Sequence, residues 1–353
     1  MDEPDKKKIL VTPLNWGLGH ATRCIPIIYL LISQGFEPII ASDGNALLLL
    51  QKEFPKLKFY VLPSYNITYP KHSIFFIWHF VFKLLLFIKT YKAEQKTITK
   101  IVNKEKLSGI ISDNRFGCFH PDVKSVYITH QLKVLSGLFT FITSKIHQNI
   151  IKHFDECWIP DKSNNFLSGK LSKVKLTSIK IKYIGILSRF KPINTKTKYD
   201  FLILLSGIET QRKKMENILR NAFKNNSLKV LFITGKLAKK QTKISKNGLT
   251  ILNYATTKEL QKFIAQSKVI IARSGYSTVM DLAAMGKKAF FIPTPGQKEQ
   301  IYLAKLLAKK KVAPFSWQEQ FKISHLSRLK DYDGFKNINP SNILLNSCLS
   351  RLT

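Results

Sequence analysis

The chain alternates short apolar runs with amphipathic stretches, and it does so in two series. In the first half the apolar runs are KILVTP (8–13), PIIAS (38–42), KFYVLP (58–63), GIISD (109–113), SVYITH (125–130), CWIPD (157–161) and KYIGIL (182–187). Most are continuous rather than alternating in polarity, which is the pattern of strands covered on both faces of a parallel sheet. The helical patterns between them predict right-handed βαβ units. The stretch SRFKPINTKTKYD (188–200) is polar, basic and holds Pro192, so it reads as a linker. A second series follows: FLILLSG (201–207), KVLFITG (229–235), LTILNY (249–254), KVIIAR (268–273) and KAFFIPT (288–294). The pattern predicts an α/β protein of two doubly wound parallel-sheet domains. They occupy residues 1–190 and 201–335, are joined by 191–200, and are followed by a helix within 336–353. That last helix has Ser341 as its N-cap and is expected to pack back on the first domain. Ligands of such sheets bind beyond the carboxyl ends of the strands, so the two domains are expected to face each other across a cleft.

Composition changes this picture in one respect. With 44% apolar residues both domains can bury a core, but the net charge is +35. A charge of that size attracts nucleic acid, an anionic membrane face or anionic small molecules such as nucleotide sugars. Lys outnumbers Arg by 49 to 8. Specific nucleic-acid readers rely on the bidentate Arg fork, and no nucleic-acid-binding motif is present, so no nucleic-acid partner is expected. The four cysteines, Cys24, Cys118, Cys157 and Cys348, fit neither a metal-ligand spacing nor a disulfide framework, and no metal site is expected. The start, MDEPDKKKILVTP, lacks the apolar core of a secretory signal, which makes the cytoplasm the expected compartment.

Two glycine-bearing turns carry the candidate chemistry. In NWGLGHATR (15–23), Gly17 and Gly19 stand between the first strand and a helix, where bare backbone and free N–H groups suit a polar or anionic ligand. His20 follows as a candidate acid or base near neutral pH. A dinucleotide fingerprint would have glycine at Thr22; Asp43, after the second strand, keeps a nicotinamide-cofactor reading open, against a purely structural turn. GIISDNRFG places Asp113, Asn114 and Arg115 past a strand end, and VYITHQL places His130 past the next. Both ends face the same crevice as Gly17–His20 in a doubly wound domain. The alternative is a structural Asp113–Arg115 ion pair and a strand-capping His130. In the second half, ARSGYSTVMDLAAMGKKAFFIPTPGQKEQIYLAKLL (272–307) runs strand, Arg273-Ser274-Gly275, helix from near Ser277 to near Gly286, then strand and a Pro/Gly loop. The N–H groups from Gly275 to Thr278 make an anion site. Asp281 can accept from two vicinal ribose hydroxyls or can merely oppose the helix dipole. Gln297, Glu299 and Gln300 can reach a neighbouring sugar.

RSGYSTVMDLAAMG…FFIPTPGQKEQIYLA resembles the donor-site signature of MurG-type glycosyltransferases, family 28, and GLGH resembles their N-terminal glycine loop. The SDNRFG and THQ segments look closer to a less-characterised bacterial branch than to MurG itself. The resemblance implies the GT-B fold, in which two Rossmann-like domains flank a cleft, the acceptor binds to residues 1–190 and the nucleotide sugar to 201–335. It implies inverting, metal-independent transfer without a cofactor, from a nucleotide sugar of UDP type to a hydroxyl acceptor, lipid-linked or in a cell-envelope glycan. By position it assigns Asp281 to the ribose, where the family usually has Glu. Ser274, Gly275, Ser277 and Thr278 fall at the phosphates and nearby backbone contacts, Gln297 and Gln300 at the donor sugar, and Arg273 within the same nucleotide-sugar site. The second glycine loop, LLSGIETQR, has Gly207 alone, with Ser206, Gln211 and Arg212 as further diphosphate contacts. His20 is the expected base, with Asp113 and His130 as alternates, and Gly17, Gly19, Asn114 and Arg115 line the phosphate or acceptor loop. Two other readings keep part of this pattern: a GT-B hydrolase or 2-epimerase acting on nucleotide sugars, and a basic lipid- or RNA-binding protein without activity.

One segment stands apart. IFFIWHFVFKLLLFI (74–88) would extend about 22 Å as a helix, short of the roughly 30 Å hydrocarbon core. Ile74, Ile77, Val81, Leu84 and Ile88 form one stripe, with Phe76, Phe80, Phe87 and Lys83 on other faces and Lys71, His72, Lys89 and Lys92 flanking it. Such a helix is either deeply buried or lies in a membrane interface. In the second case 74–92 would meet an anionic surface at the inner face of the cytoplasmic membrane.

Overall fold

The structure is a computed structural model; it describes residues 6–65, 76–174, 179–224, 227–236, 240–246, 248–336, 338, 343–350 and 352, with the side chains of 76–84, 138, 246 and 343 outside that description. The first sheet is built from β1 (Lys8–Pro13), β2 (Glu37–Ser42), β3 (Lys58–Val61), β4 (Gly109–Asp113), β5 (Ser125–Ile128), β6 (Glu156–Ile159) and β7 (Lys180–Tyr183). Its order is β3-β2-β1-β4-β5-β6-β7, and every pairing is parallel. Helices α1 (Gly19–Ser33), α2 (Gly44–Glu53), α3 (Phe76–Glu105) and α4 (Thr140–Ile151) make the crossovers. The order reverses between β1 and β4, so the crevice of this domain opens beside the loops after those two strands.

The second domain repeats the plan with β8 (Tyr199–Leu204), α5 (Glu209–Ala222), β9 (Val230–Ile233), β10 (Lys243–Lys246), β11 (Leu249–Leu252), α6 (Thr257–Ala265), β12 (Ser267–Ala272), α7 (Tyr276–Ala284), β13 (Lys288–Phe291) and α8 (Lys298–Lys309). Its sheet order is β10-β11-β9-β8-β12-β13, with the reversal between β8 and β12. Both reversals place a glycine-bearing loop at the mouth of the cleft. The segment 184–198 between the sheets has no regular secondary structure.

In the central strands both faces are covered, with Ile9, Leu10, Val11, Ile110 and Ile111 wholly buried, whereas the outer strand β3 leaves Val61 exposed. One apolar cluster includes α1 (Ile25, Ile28, Leu31) and α7 (Val279, Met280, Leu282), so the core continues across the domain boundary. Helix α7 ends where expected. Gly286 has φ +61, and the N–H groups of Gly286 and Lys287 donate to the Ala283 and Leu282 carbonyls.

Several boundaries differ from the expectation. The last apolar run before the linker pairs only as Lys180–Tyr183, and Ile184–Leu187 is buried without joining the ladder. Strand β10 was not expected. It is antiparallel, on the edge, and its KISK sequence gives little apolar signal. Helix α1 begins at Gly19, before its apolar run. The apolar segment 74–88 belongs to the 30-residue α3, about 45 Å long. Among the described residues no helix is long and apolar enough to cross a membrane. Ile74, Lys71 and His72, like Ser341, lie outside the described residues, as do the side chains of Phe76, Ile77, Phe80, Val81, Lys83 and Leu84. The terminal helix α9 (Ile343–Leu349) leads to Leu352, whose side chain sits about where a Cβ on Gly109 of β4 would press, 3.1 Å away. The tail therefore packs on the first domain.

Candidate active site

The loop from β1 to α1 uses its two glycines differently. Gly17 has φ +86 and an added Cβ would meet nothing within 4 Å, so its backbone conformation is what calls for glycine. At Gly19 an added Cβ would stand 2.7 Å from Ser277 Oγ of the other domain, and Ser277 Oγ donates to the Gly19 carbonyl at 3.0 Å. Space is the reason there: the N-termini of α1 and α7 approach each other across the cleft.

His20, in the first turn of α1, has Nδ1 2.8 Å from Asp113 Oδ1 and 2.9 Å from Arg23 Nη2. Arg23 Nε donates to Asp113 Oδ2 at 2.7 Å, and its Nη2 donates to Oδ1. Burial opposes ionisation of Asp113, but Arg23 and His20 outweigh it and hold the carboxyl well below the usual carboxylate range. An ionised Asp113 takes the Nδ1–H of His20, and that tautomer leaves the Nε2 lone pair available. Among the described residues Nε2 makes no hydrogen bond, and the ring keeps 14% of its surface in solvent.

Of the three candidate bases, only His20 keeps a proton-accepting atom free of hydrogen bonds among the described residues. Asp113 is wholly buried with both oxygens engaged, so its place is behind His20, orienting it. His130 also has both nitrogens engaged. Arg23 Nη1 lies 3.3 Å from Nδ1, and Nε2–H donates to Glu299 Oε1 of α8 at 2.9 Å. Its ring stacks on Tyr276 of α7 at 4.0 Å and 5°. Burial lowers the His130 pKa, partly opposed by Glu299. It is thus a neutral bridge between the domains.

Arg115 does not reach the loop where it was expected. Its guanidinium is buried, with Nε on Glu94 at 2.6 Å, Nη1 on Asp43 at 3.0 Å and Nη2 on the Pro63 carbonyl at 2.6 Å. The expected alternative, an Asp113–Arg115 pair, is also absent: Asp113 belongs to Arg23. Asn114 has φ +58, in the left-handed region, and its Oδ1 is buried without a hydrogen bond. Asp43 is the N-cap residue of α2, spent on Arg115 and Asn15, and so does not stand free for a ribose.

In the second domain the glycine-bearing loops present backbone more than side chains. Ser206 and Gly207 (φ +97) are exposed after β8. Gly275 is the N-cap residue of α7, with Ser277 and Thr278 half-buried in its first turn. Several assigned side chains are already committed within the protein. Arg273 donates to the Ile292, Pro293 and Gln211 carbonyls and to Gln318, so it braces the loops from behind. Ser274 Oγ donates to the Gln300 carbonyl at 2.7 Å, and Arg212 Nη1 to the Gly235 carbonyl at 2.8 Å. Gln211 accepts from Gln318 at 3.3 Å. Gln297 is exposed as the N-cap residue of α8, and Gln300 Oε1 accepts from Thr294 N–H at 2.9 Å. Asp281 sits in the second turn of α7, half-buried, with Oδ1 accepting from Ser188 Oγ at 2.6 Å. Burial raises its pKa to about 6, against Arg189 and Ser188.

Arg23 and the Ser188–Arg189 pair were missed in the sequence. HATR does carry a signal for Arg23, since positions i and i+3 of a helix share a face. Nothing local marks Ser188, because its partner lies 93 residues away. Among the described residues no cluster of His, Cys, Asp and Glu is placed to hold a metal ion.

Residues 201–331 match the glycosyltransferase family 28 C-terminal domain, from the start of β8 through the loops just described. That stretch is similar to the C-terminal half of family 28 glycosyltransferases. Known relatives agree. The chain is 25% identical over 301 residues to the UDP-N-acetylglucosamine–N-acetylmuramyl-(pentapeptide) pyrophosphoryl-undecaprenol N-acetylglucosamine transferase of Clostridium tetani, covering 82% of this chain and 78% of that one. It is 28% identical over 171 residues to the enzyme of the same name from Sulfurihydrogenibium, covering 42% and 47% respectively, so that match spans about half the relative's length. Among solved structures, MurG of Acinetobacter baumannii superposes with a TM-score of 0.61 at 13% identity, over 98% of this chain and all of that one. The kitacinnamycin glycosyltransferase gives 0.68 at 10% identity, over 99% and 100%. The fold is GT-B, residues 201–331 match the family 28 C-terminal domain, and the chain is similar to MurG-type glycosyltransferases.

Proposed function

We propose that this glycosyltransferase moves a sugar from a UDP-sugar to a hydroxyl of a lipid-linked, cell-envelope acceptor, with inversion and without a metal ion. The observation that carries the reading is the His20–Asp113 pair at the start of α1, next to Gly19, whose carbonyl accepts a hydrogen bond from Ser277 in the first turn of α7 in the other domain. His20 Nε2 takes the acceptor proton as that oxygen attacks the anomeric carbon from the side opposite the diphosphate, and attack from that side inverts the centre. The charge arriving on the leaving diphosphate meets the N–H groups of Gly275–Thr278 and the exposed backbone at Ser206–Gly207, which are fixed before reaction and cost no reorganisation. The UDP-sugar and the lipid-linked acceptor follow the names of the relatives, whose donor is UDP-N-acetylglucosamine and whose acceptor is an undecaprenol pyrophosphate.

Two described surfaces support contact with an anionic membrane face. On α3, Leu85, Leu86 and Ile88 are exposed beside Lys89 and Lys92; on α4, Phe141, Ile142 and Ile146 are exposed beside Lys145. Phe116 joins the two helices from beneath, 5.1 Å from Phe87 and 6.0 Å from His147. An apolar face rimmed by lysines suits the inner leaflet of a cytoplasmic membrane.

The test is incubation with a panel of UDP-sugars, with and without polyprenyl-diphosphate-linked glycans, followed by mass spectrometry and by NMR of the new anomeric bond. A lipid-linked product of inverted configuration is expected. Free sugar or a 2-epimer formed without acceptor would replace transfer by hydrolysis or epimerisation.

A further inference from the structure

The segment joining the domains touches the donor site directly. Ser188 Oγ donates to Asp281 Oδ1 at 2.6 Å and accepts from the Phe190 N–H at 3.0 Å, which fixes the hydroxyl's direction. Among the described residues Asp281 Oδ2 accepts no hydrogen bond. Arg189 follows at once. Its Nη1 donates to Thr257 Oγ1 at 3.2 Å, Thr257 Oγ1 donates to Glu53 Oε2 at 3.3 Å, and Tyr29 donates to Glu53 Oε1 at 3.1 Å. Arg189 Nε is shut off from solvent without a hydrogen-bond partner. A polar path thus runs from Asp281 through the joining segment to α2 and α1 of the first domain.

The charges along that path are few. Arg189 is the charged group acting on Asp281, and Asp281 and Glu53 are those acting on Arg189 from its two sides. Burial drives Asp281 toward its neutral form, Arg189 and Ser188 oppose it, and the balance leaves the carboxyl at about 6. A neutral carboxyl offers one acceptor oxygen fewer to a pair of vicinal hydroxyls.

We propose that Ser188 and Arg189 are positioning residues for the donor ribose. Ser188 pins one oxygen of Asp281, Arg189 supplies the opposing charge, and the second oxygen is left to the ribose hydroxyls. This rests on the reading above that the chain binds a UDP-sugar. Because both residues lie between the domains, a movement of one domain against the other changes how Asp281 is presented, and nucleotide affinity is tied to domain geometry.

The experiment measures UDP and 2′,3′-dideoxy-UDP binding by calorimetry between pH 5 and 8, for the wild type, Ser188→Ala, Arg189→Gln and Arg189→Lys. Both nucleotides carry the same titrating diphosphate, so the ratio of their affinities isolates the ribose contact. In the wild type that ratio falls as pH drops through about 6 and protonates Asp281. Arg189→Gln lowers the ratio roughly tenfold at pH 7, the size of one charge-assisted hydrogen bond, and moves its midpoint upward. Ser188→Ala acts in the same direction, more weakly, and Arg189→Lys keeps the midpoint. If UDP and its dideoxy analogue weaken equally in the variants, or the midpoint stays fixed in Arg189→Gln, the proposal is overturned while UDP binding stands. Should Arg189→Gln fail to fold, Ser188→Ala, which removes one hydroxyl, decides alone. Absence of wild-type UDP binding at any pH defeats the proposed function itself, and the ribose role with it.

Discussion

His20 shows how much a single side chain's role depends on what stands behind it. A lone histidine in a glycine loop is one-sided information; Asp113, 2.8 Å from Nδ1 and held ionised by Arg23, fixes the tautomer that makes Nε2 a base. His20→Ala is therefore expected to lower kcat by about 10²–10⁴-fold, the usual range for losing a general base, with UDP binding changed by less than about twofold. Steady-state kinetics beside calorimetry checks this, and a loss of affinity equal to the loss of rate would show that His20 binds donor rather than moving a proton. The same scale explains why Asp113 and His130 looked interchangeable with His20 in the sequence. All three follow or flank strand ends of one crevice. Only their hydrogen bonds separate them: two oxygens spent on Arg23 and His20, two ring nitrogens spent on Arg23 and Glu299.

At the scale of elements, periodicity was a good guide wherever burial on both faces imposed it. The strands from Lys8 to Asp113 and from Tyr199 to Phe291 lie close to the continuous apolar runs, whereas the edge strand Lys243–Lys246 carries almost no apolar signal and escaped notice. Helix α3 was half legible. Its first turns read as an isolated apolar segment, since the polar residues of its second half hide its continuation to Glu105. Its exposed Leu85, Leu86 and Ile88 gain meaning only with α4 beside them, where Phe141 is 80% exposed. Phe141→Glu with Ile142→Glu puts two carboxylates on that face and is expected to lower sedimentation with vesicles containing phosphatidylglycerol by at least about tenfold, while the melting temperature shifts little because both side chains are already in water. Unchanged sedimentation would remove α4 from the membrane-facing surface.

For the whole molecule, the question is what holds two domains at one mutual angle. Beyond the shared apolar cluster, hydrogen bonds cross the cleft at separate points: Ser277 to the Gly19 carbonyl, His130 to Glu299, Ser188 to Asp281, and Tyr276 Oη to the Pro160 carbonyl at 2.8 Å. Helix α8 contributes the Glu299 contact. Glu299 was read in the sequence as a polar group able to reach a sugar, yet in the structure its carboxylate meets His130, and through Arg23 it communicates with the carboxylate that orients His20. Glu299→Ala leaves the buried His130 Nε2–H without its acceptor and is expected to cost about 1.5–3 kcal/mol of domain closure. The outcome should be a lower kcat, roughly tenfold, with donor KM little changed, and a larger radius of gyration in small-angle scattering. An unaltered kcat would mean that the bridge is incidental to turnover.

Most of the strands, the tandem doubly wound plan and the place of both glycine loops are legible in the sequence, because they follow from local periodicity and from backbone conformations that only a few residues tolerate. Residues 272–307 also carry a pattern that lies within the match to the glycosyltransferase family 28 C-terminal domain. Tertiary structure alone decided which polar side chains are working groups and which are braces. Arg115 turned to Glu94 and Asp43, Arg273 and Ser274 to carbonyls behind the loops, and Arg23, unremarked in the sequence, became the centre of the His20 network. A buried charge must find its partner wherever the fold brings one: Ile292 lies 19 residues from Arg273, Asp43 lies 72 from Arg115, and Asp113 and His130 lie 90 and 107 from Arg23.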